Sequence, residues 1–193
     1  MSNKIICIVG MAGSGKSMVS DELVKRGFSY LRLGQITLDK VKEEGLKPNE
    51  SNEKRIREEF RKEYGIGAFA TLNIPKIEEL FKKSNIVVDG LYSWSEYKIL
   101  KDKYGDSMYV VAVYAPPELR YERLRNRAIA NDEKQRFRSF TEEEAKARDF
   151  AEIENIEKGG PIAMADFTII NTGTIKELKE KVNEILKTLD LHK

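Results

Sequence analysis

Short apolar runs alternate with amphipathic stretches along this chain. Lys4-Ile5-Ile6-Cys7-Ile8-Val9 is continuous and β-branched, the pattern of a strand buried on both faces. Four further runs have strand length: Phe28 to Leu33, Asn85 to Asp89, Met108 to Ala115 and Asp166 to Ile170. Between them the periodicity is helical. After the first strand, Val19, Leu23 and Val24 share one face, and Gly27 follows as a C-cap. Helical patterns then cover about 36–44, 50–64 and 68–83, punctuated by Gly45, Pro48 and Gly65. This block carries no strand signal, so the spacing predicts a helical excursion over 34–83 between the second and third strands. Ser93-to-Glu96, Thr141-to-Glu144 and Thr174-to-Glu177 have capping-box spacing. They open helices reaching about Tyr104, reaching about Glu157 with closure at Gly159-Gly160, and running to the C-terminus. Leu178, Val182, Ile185, Leu186 and Leu189 stripe the last of these. Pro116-Pro117 stops the fourth strand, a basic helix runs from Glu118 to about Ala128, and Asn131 to Phe140 reads as a polar loop. Strands alternating with helices predict an α/β fold: a five-stranded parallel sheet covered on both faces, three layers in one domain over 1–193, with ligands at the carboxyl ends of the strands.

The first strand breaks into Gly10-Met11-Ala12-Gly13-Ser14-Gly15-Lys16-Ser17, which fits G-x-x-x-x-G-K-[ST] at every specified position. Strand, glycine loop and helix are the context this motif requires. Its glycines let backbone N–H groups turn around a phosphate, and the N-terminus of the following helix adds its partial positive charge. Lys16 is positioned for the β- and γ-phosphates, and the Ser17 hydroxyl for Mg²⁺. The predicted ligand is a nucleoside triphosphate, ATP with Mg²⁺.

Composition narrows the setting. Charged residues make up 34% of 193, yet the formal net charge is +2, so no global nucleic-acid or membrane surface is expected. One cysteine, Cys7, lies in the first strand, where a core role is expected; disulfides within the chain are excluded, which suits a reducing cytoplasm. The apolar start is too short for a signal peptide and runs directly into the glycine loop. The lone histidine, His192, is next to the C-terminus, which speaks against histidine catalysis and histidine-ligated zinc.

Further chemistry concentrates at strand ends. Asp89 ends the apolar run IVVD, the form of a carboxylate that holds Mg²⁺; Asp before Gly is also ordinary turn chemistry. Between Arg120 and Arg138 stand seven Lys or Arg against three acids. Arg120, Arg123 and Arg127 share a helix face on the ligand side of the sheet, where Arg123 and Arg127 can clamp phosphoryl oxygens; a solvated basic face is the alternative for the rest. Arg148 is a further candidate, with Asp149 and several Glu available to pair with it instead. Tyr64, Phe69, Tyr92 and Trp94 could stack on an acceptor base or pack in a core, and Tyr92 opens onto the site.

These features resemble the P-loop nucleoside monophosphate kinase family, and within it an adenylate-kinase-related, dephospho-coenzyme-A-kinase-like group. GMAGSGKS, LGQITLDKVKEEG, IVVDGLYS, VVAVYAPPELRYERLRNR and ADFTIINTG carry the resemblance over essentially the whole chain. It implies that Gly10, Ala12, Gly13, Ser14, Gly15, Lys16, Ser17 and Met18 hold ATP, and that Asn171 and Gly173 lie beside the adenine. It further implies that 34–83 holds the acceptor, that 128–148 is a closing lid, and that Arg123, Arg127 and Arg148 contact the phosphates. Two family features are missing. Gln35 and Leu38 stand where Asp and Arg usually open the first acceptor helix, and Tyr92 stands where the third-strand motif often continues to Arg.

Three functions follow. One is phosphoryl transfer from Mg-ATP to a nucleoside or deoxynucleoside monophosphate, whose phosphate oxygen needs no general base. Another is dephospho-coenzyme-A-kinase-type transfer to a ribose hydroxyl, which calls for a positioned carboxylate; beyond the second strand stand Gly34 and Gln35, and the first carboxylate is Asp39. The last is a regulatory ATP-binding module with weak ATPase activity, for which the missing arginines speak. The expected partner is a small nucleotide-like acceptor; the oligomeric state is left open.

Overall fold

The computed structural model describes residues 3–126 and 141–191. Its centre is a five-stranded sheet of β1 (Ile5–Val9), β2 (Ser29–Arg32), β3 (Ile86–Asp89), β4 (Met108–Tyr114) and β5 (Phe167–Ile170). All neighbours are parallel, in the order β2-β3-β1-β4-β5. The apolar run of β1 is buried at every position because it is the middle strand, covered on both faces. Successive side chains point to opposite faces, which divides the core in two. Ile5, Cys7, Val9, Val88 and Val110 meet Phe69, Ile77 and Leu100. These last three belong to α4 (Ala68–Phe81) and α5 (Trp94–Tyr104). Ile6, Ile8, Val87, Val111 and Ile169 meet Val19 and Leu23 of α1 (Lys16–Lys25) and Leu178, Val182 and Leu186 of α9 (Ile175–Thr188). Cys7 is fully buried, and burial pushes its thiol pKa up, as befits a core residue.

The remaining helices are α2 (Gln35–Glu43), α3 (Glu50–Tyr64), α6 (Pro117–Arg125), α7 (Glu142–Ile156) and the short α8 (Gly159–Ala163). The three capping boxes form as their spacing predicts, at Ser93/Glu96, Thr141/Glu144 and Thr174/Glu177. Gly27, with φ 86°, follows α1 and lets Phe28 N bond back to Leu23 O. Two ends differ from the spacing. Gly159-Gly160 does not close α7; Glu157 takes the left-handed turn at φ 55°, and the two glycines open α8. The basic helix ends at Arg125, capped by Asn126, short of the expected Ala128. Arg127, the polar loop 131–140 and most of the expected lid 128–148 lie outside the described residues, as does His192.

The chain leaves β1 for the sheet edge at β2, returns to β3, and crosses to β4 on the other side of β1. The crevice at this reversal opens at the carboxyl ends of β1, β3 and β4, where the glycine loop lies. Ile8 is level with Asp89, and Asp89 with Arg32, so both charged residues reach the same end of the sheet.

Candidate active site

The glycine loop needs its glycines. Gly10, Gly13 and Gly15 have φ of 138°, 78° and 102°, a region that L side chains rarely adopt. A Cβ would also strike a neighbour at each. At Gly10 it meets Val113 O, at Gly15 the Asn171 amide, and at Gly13 it would sit 2.6 Å from Arg120 O. The loop is therefore wedged between the ends of β4 and β5 and the first turns of α6. Its first helical bond is Met18 N to Gly15 O, 3.0 Å, which leaves the amides of Lys16 and Ser17 as free donors of a helix N-terminus. The cradle and its dipole suit a phosphate group.

Two buried side chains fix the loop from behind. Asn171 donates from Nδ2 to Ser14 O at 2.8 Å, while its own backbone N–H bonds Tyr114 O at 2.7 Å. Arg120, 4% exposed, donates to Ala12 O and Ala115 O, 3.0 Å each, and to Asp149 Oδ2 at 2.6 Å. Tyr121 Oη also donates to Asp149, at 3.0 Å. Arg120 thus joins the loop to α7, a part no local pattern marks, because its partners are 5 to 108 residues away. Gly173 lies at the start of α9, where a Cβ would strike the Glu177 carboxylate of the capping box. Arg123 donates to Asn171 O at 3.0 Å, which sets it beside the 171–173 loop; its Nη1 is buried without a partner.

Lys16 and Asp89 lie on either side of the crevice floor. Lys16 Nζ donates to Met11 O at 3.0 Å. Its pKa is pushed down to about 7, first by burial, then by Lys158, against the opposing pull of Asp89 and Glu152. Asp89 is 8% exposed, and one of its oxygens accepts from Tyr30 Oη at 3.0 Å. The Ser17 hydroxyl and the Asp89 carboxylate are hard oxygen donors of the kind Mg²⁺ takes together with phosphate and water. No cluster of three or more His, Cys, Asp or Glu occurs among the described residues. A metal here would complete its shell from the nucleotide.

A second charged group faces the same space. Lys158, 1% exposed, pairs with Glu152, and its Nζ stands 4.6 Å from the centre of the Tyr92 ring. Arg148 Nε donates to the other Glu152 oxygen at 2.9 Å, one helical turn along α7. So Arg148 does pair with an acid, one of the several Glu near it, while Asp149 is taken by Arg120. Burial tends to raise the Glu152 pKa; Lys158 and Arg148 together outweigh it and bring it down to about 2. Burial and Asp89 push the Tyr92 phenol up to about 12. Sequence reasoning missed Lys158 and Glu152, since the lysine sits at a helix end before two glycines and resembles a cap.

The other aromatic candidates are placed by packing. Phe69 is buried and meets Phe60 edge-on at 6.1 Å, and Trp94 stacks on Tyr97 at 4.9 Å. Tyr64 is exposed. Asp39, the first carboxylate after β2, is exposed and accepts from Gln35 Nε2 at 3.0 Å on the outer surface of α2. No helix among the described residues is long and apolar enough to cross a membrane.

Comparison with known proteins agrees with this architecture. Residues 6–164 match the model of a family described as an AAA domain. A UPF0200 protein of Thermococcus gammatolerans is 35% identical over 187 residues, covering 96% of this chain and 95% of its own. Among solved structures, a shikimate kinase from Bacteroides thetaiotaomicron superposes with a TM-score of 0.59 at 14% identity, covering 97% of this chain and 99% of its own. A gluconokinase from Sinorhizobium meliloti superposes with a TM-score of 0.58 at 14% identity, covering 97% and 93%. At such identities these two speak for the fold, which is that of P-loop kinases.

Proposed function

We propose that this chain, which belongs to the AAA domain family and to the UPF0200 proteins, moves the γ-phosphoryl group of Mg-ATP to a nucleoside or deoxynucleoside monophosphate. One observation carries this choice of acceptor. Asp39, the first carboxylate after β2 in the chain, is turned to the surface and bonded to Gln35, while Lys158 and Arg148 come to the space above β3. A phosphate oxygen is already an anionic nucleophile, so such a site needs charge and position rather than a base.

In this reading the backbone of Gly10, Ala12, Gly13, Ser14, Gly15 and Met18 wraps the ATP phosphates, with Asn171 and Gly173 toward the base. Lys16 leaves Met11 O for the β- and γ-oxygens, and an incoming phosphate restores the full charge that burial has weakened. Ser17 and Asp89 hold Mg²⁺, which when bound neutralises charge on the phosphate oxygens. Asp89 is oriented for this by Tyr30. Arg148, steadied by Glu152, and Arg123 stabilise charge on the transferring group, with Arg127 assigned to the same task from outside the described residues. Residues 34–83 carry the acceptor and 128–148 exclude water when closed.

A second reading is transfer to a hydroxyl of a small anionic metabolite. The shikimate kinase and gluconokinase folds favour it. The deciding experiment incubates the protein and Mg-ATP with a panel of nucleoside monophosphates, dephospho-coenzyme A, shikimate and gluconate, following ADP and phosphorylated product together. Stoichiometric product from a monophosphate supports the proposal. Product from a hydroxyl acceptor alone replaces it with the second reading. Slow ADP release indifferent to every acceptor overturns both in favour of an ATP-binding regulatory module.

A further inference from the structure

Most arginines of the described chain have a carboxylate. Arg26 pairs with Glu22, Arg55 with Glu44 and Glu59, Arg57 with Glu53, Arg120 with Asp149, Arg125 with Glu142 and Arg148 with Glu152. Arg32, Arg61 and Arg123 do not, and Arg123 is bonded to Asn171 O beside the 171–173 loop. Arg32 Nη1 and Arg61 Nε are buried, and neither has a hydrogen-bond partner. Burying a guanidinium N–H removes its hydration, and no hydrogen bond among the described residues replaces it at these two atoms. Such a group is retained at a cost unless something else completes it.

Both groups belong to the acceptor side of the crevice. Arg32 is the last residue of β2, level with Asp89 in the sheet. Arg61 is on α3, which packs on α2 and α4, and its guanidinium lies 5.5 Å from the centre of the Phe69 ring. The segment joining β3 to α5 is tied to the start of α4 by Ser93 Oγ, which donates to Ile66 O at 3.4 Å. Arg32 is close enough to Tyr92 to oppose the rise in its phenol pKa, and Arg61 acts in the same way on Glu96. Glu96 makes no ion pair with Arg61 among the described residues, and its Oε2 accepts from the backbone N–H groups of Tyr92 and Ser93, at 2.8 and 3.1 Å. Lys158 lies over Tyr92 too, but its charge is met by Glu152. The cations left without a carboxylate on this side are therefore Arg32, near Tyr92, and Arg61, near Glu96 in the first turn of α5. α2 adds none: Gln35 is tied to Asp39, and Leu38 is buried.

We propose that Arg32 and Arg61 hold an anionic group of the phosphoryl acceptor, a phosphate or a carboxylate, against Tyr92. Calling the ligand an acceptor rests on the phosphotransferase reading; the oxyanion site itself does not. The planar fork of each guanidinium suits the paired oxygens of either group, and the protonated Tyr92 hydroxyl supplies a further donor. In the role of acceptor holder, these residues stand in for the arginines that α2 and the β3 loop lack.

The test separates this site from the glycine loop by filling the loop first. The full chain is saturated with Mg²⁺ and a non-hydrolysable ATP analogue, and inorganic phosphate is then titrated calorimetrically, with acetate as a second probe. The wild type is expected to bind one phosphate or one acetate, and the tighter probe names the anion. Arg32→Gln and Arg61→Gln are each expected to weaken that binding at least tenfold, with Arg61→Lys recovering part of it. Affinity for the ATP analogue, expected to stay within threefold, reports that each variant is folded. No anion binding to the loaded wild type, or binding that neither Gln variant changes, overturns the proposal. If phosphate binds through these arginines while the acceptor panel gives no product, the site stands and the phosphotransferase reading falls. A panel product from an acceptor whose KM is indifferent to both variants does the reverse.

Discussion

Arg120→Met tests how the glycine loop is held. The substitution keeps the aliphatic bulk and deletes three donors: those to Ala12 O and Ala115 O at 3.0 Å, and the one to Asp149 Oδ2 at 2.6 Å. Arg120 and Asp149 are 4% and 5% exposed, so the variant strands a carboxylate in the interior with Tyr121 as its remaining donor. Breaking a buried ion pair from one side costs about 3–5 kcal/mol. For a chain of this length that corresponds to a fall of roughly 6–20 °C in melting temperature. The freed Ala12 carbonyl adds a separate effect on ligand affinity, about tenfold for one lost hydrogen bond in the loop. The two effects come apart in the double variant Arg120→Met/Asp149→Leu. Removing both charges should recover most of the stability, because two apolar groups fill the space without desolvating a charge. ATP affinity should remain weakened, because Ala12 O is still unheld. Urea unfolding followed by circular dichroism gives the stabilities, and calorimetric titration of Mg-ATP gives the affinities. A loss under about 1 kcal/mol in the single variant would refute the buried pair. Full recovery of ATP affinity in the double variant would refute the link from Arg120 to the loop.

Lys16→Ala should abolish phosphoryl transfer while leaving the melting temperature of the ligand-free protein unchanged or slightly raised, since it removes a cation that burial disfavours; unchanged turnover would sink the assignment of Lys16 to the phosphates. Glu96 predicts a pH effect. Burial raises its carboxyl from 4.5 to about 7, so between those values the folded protein holds a proton that the unfolded chain releases, and stability falls as pH rises. The loss is absent below pH 4.5 and complete above about 7, amounting to about 3 kcal/mol at most. Glu96→Gln retains the capping box and should remove that part of the profile, so denaturation midpoints of the two proteins should diverge across this window; parallel profiles would show that the carboxyl is not raised.

Much of the fold was legible because its signals are local. A continuous β-branched run can be satisfied only by burial on both faces, and β1 is the middle strand. Each capping box needs two side chains three residues apart, and all three formed. Where a local signal had two outcomes, the sequence chose less well. Gly159 and Gly160 offered a helix end, but Glu157 turned first, and a Cβ on Gly160 would come within 3.0 Å of Trp94, so the glycine there serves packing. The basic helix gave an overlong end, since charge spacing does not register the Asn126 cap. The positive-φ glycine loop after β1 and Asp89 at the end of β3 were readable from one motif and one strand end. Arg148 was expected to have Asp149 and several Glu within reach, and it pairs with one of those, Glu152.

The sequence by itself determined the layered parallel sheet, the phosphate loop and the expectation of a helical insertion between β2 and β3. Those features depend on period, on short motifs and on glycine's access to positive φ, all of which act between near neighbours in the chain. Which charges meet was decided by the tertiary structure. Arg120 reaches Ala12 across 108 residues, Asn171 reaches Ser14 across 157, and Lys158 comes to rest over Tyr92. Arg32 Nη1 and Arg61 Nε end buried with no hydrogen-bond partner among the described residues. A charge run in sequence carries no record of which carboxylates will be close in space, and burial, which makes pairing compulsory or its absence costly, exists only once the chain has folded.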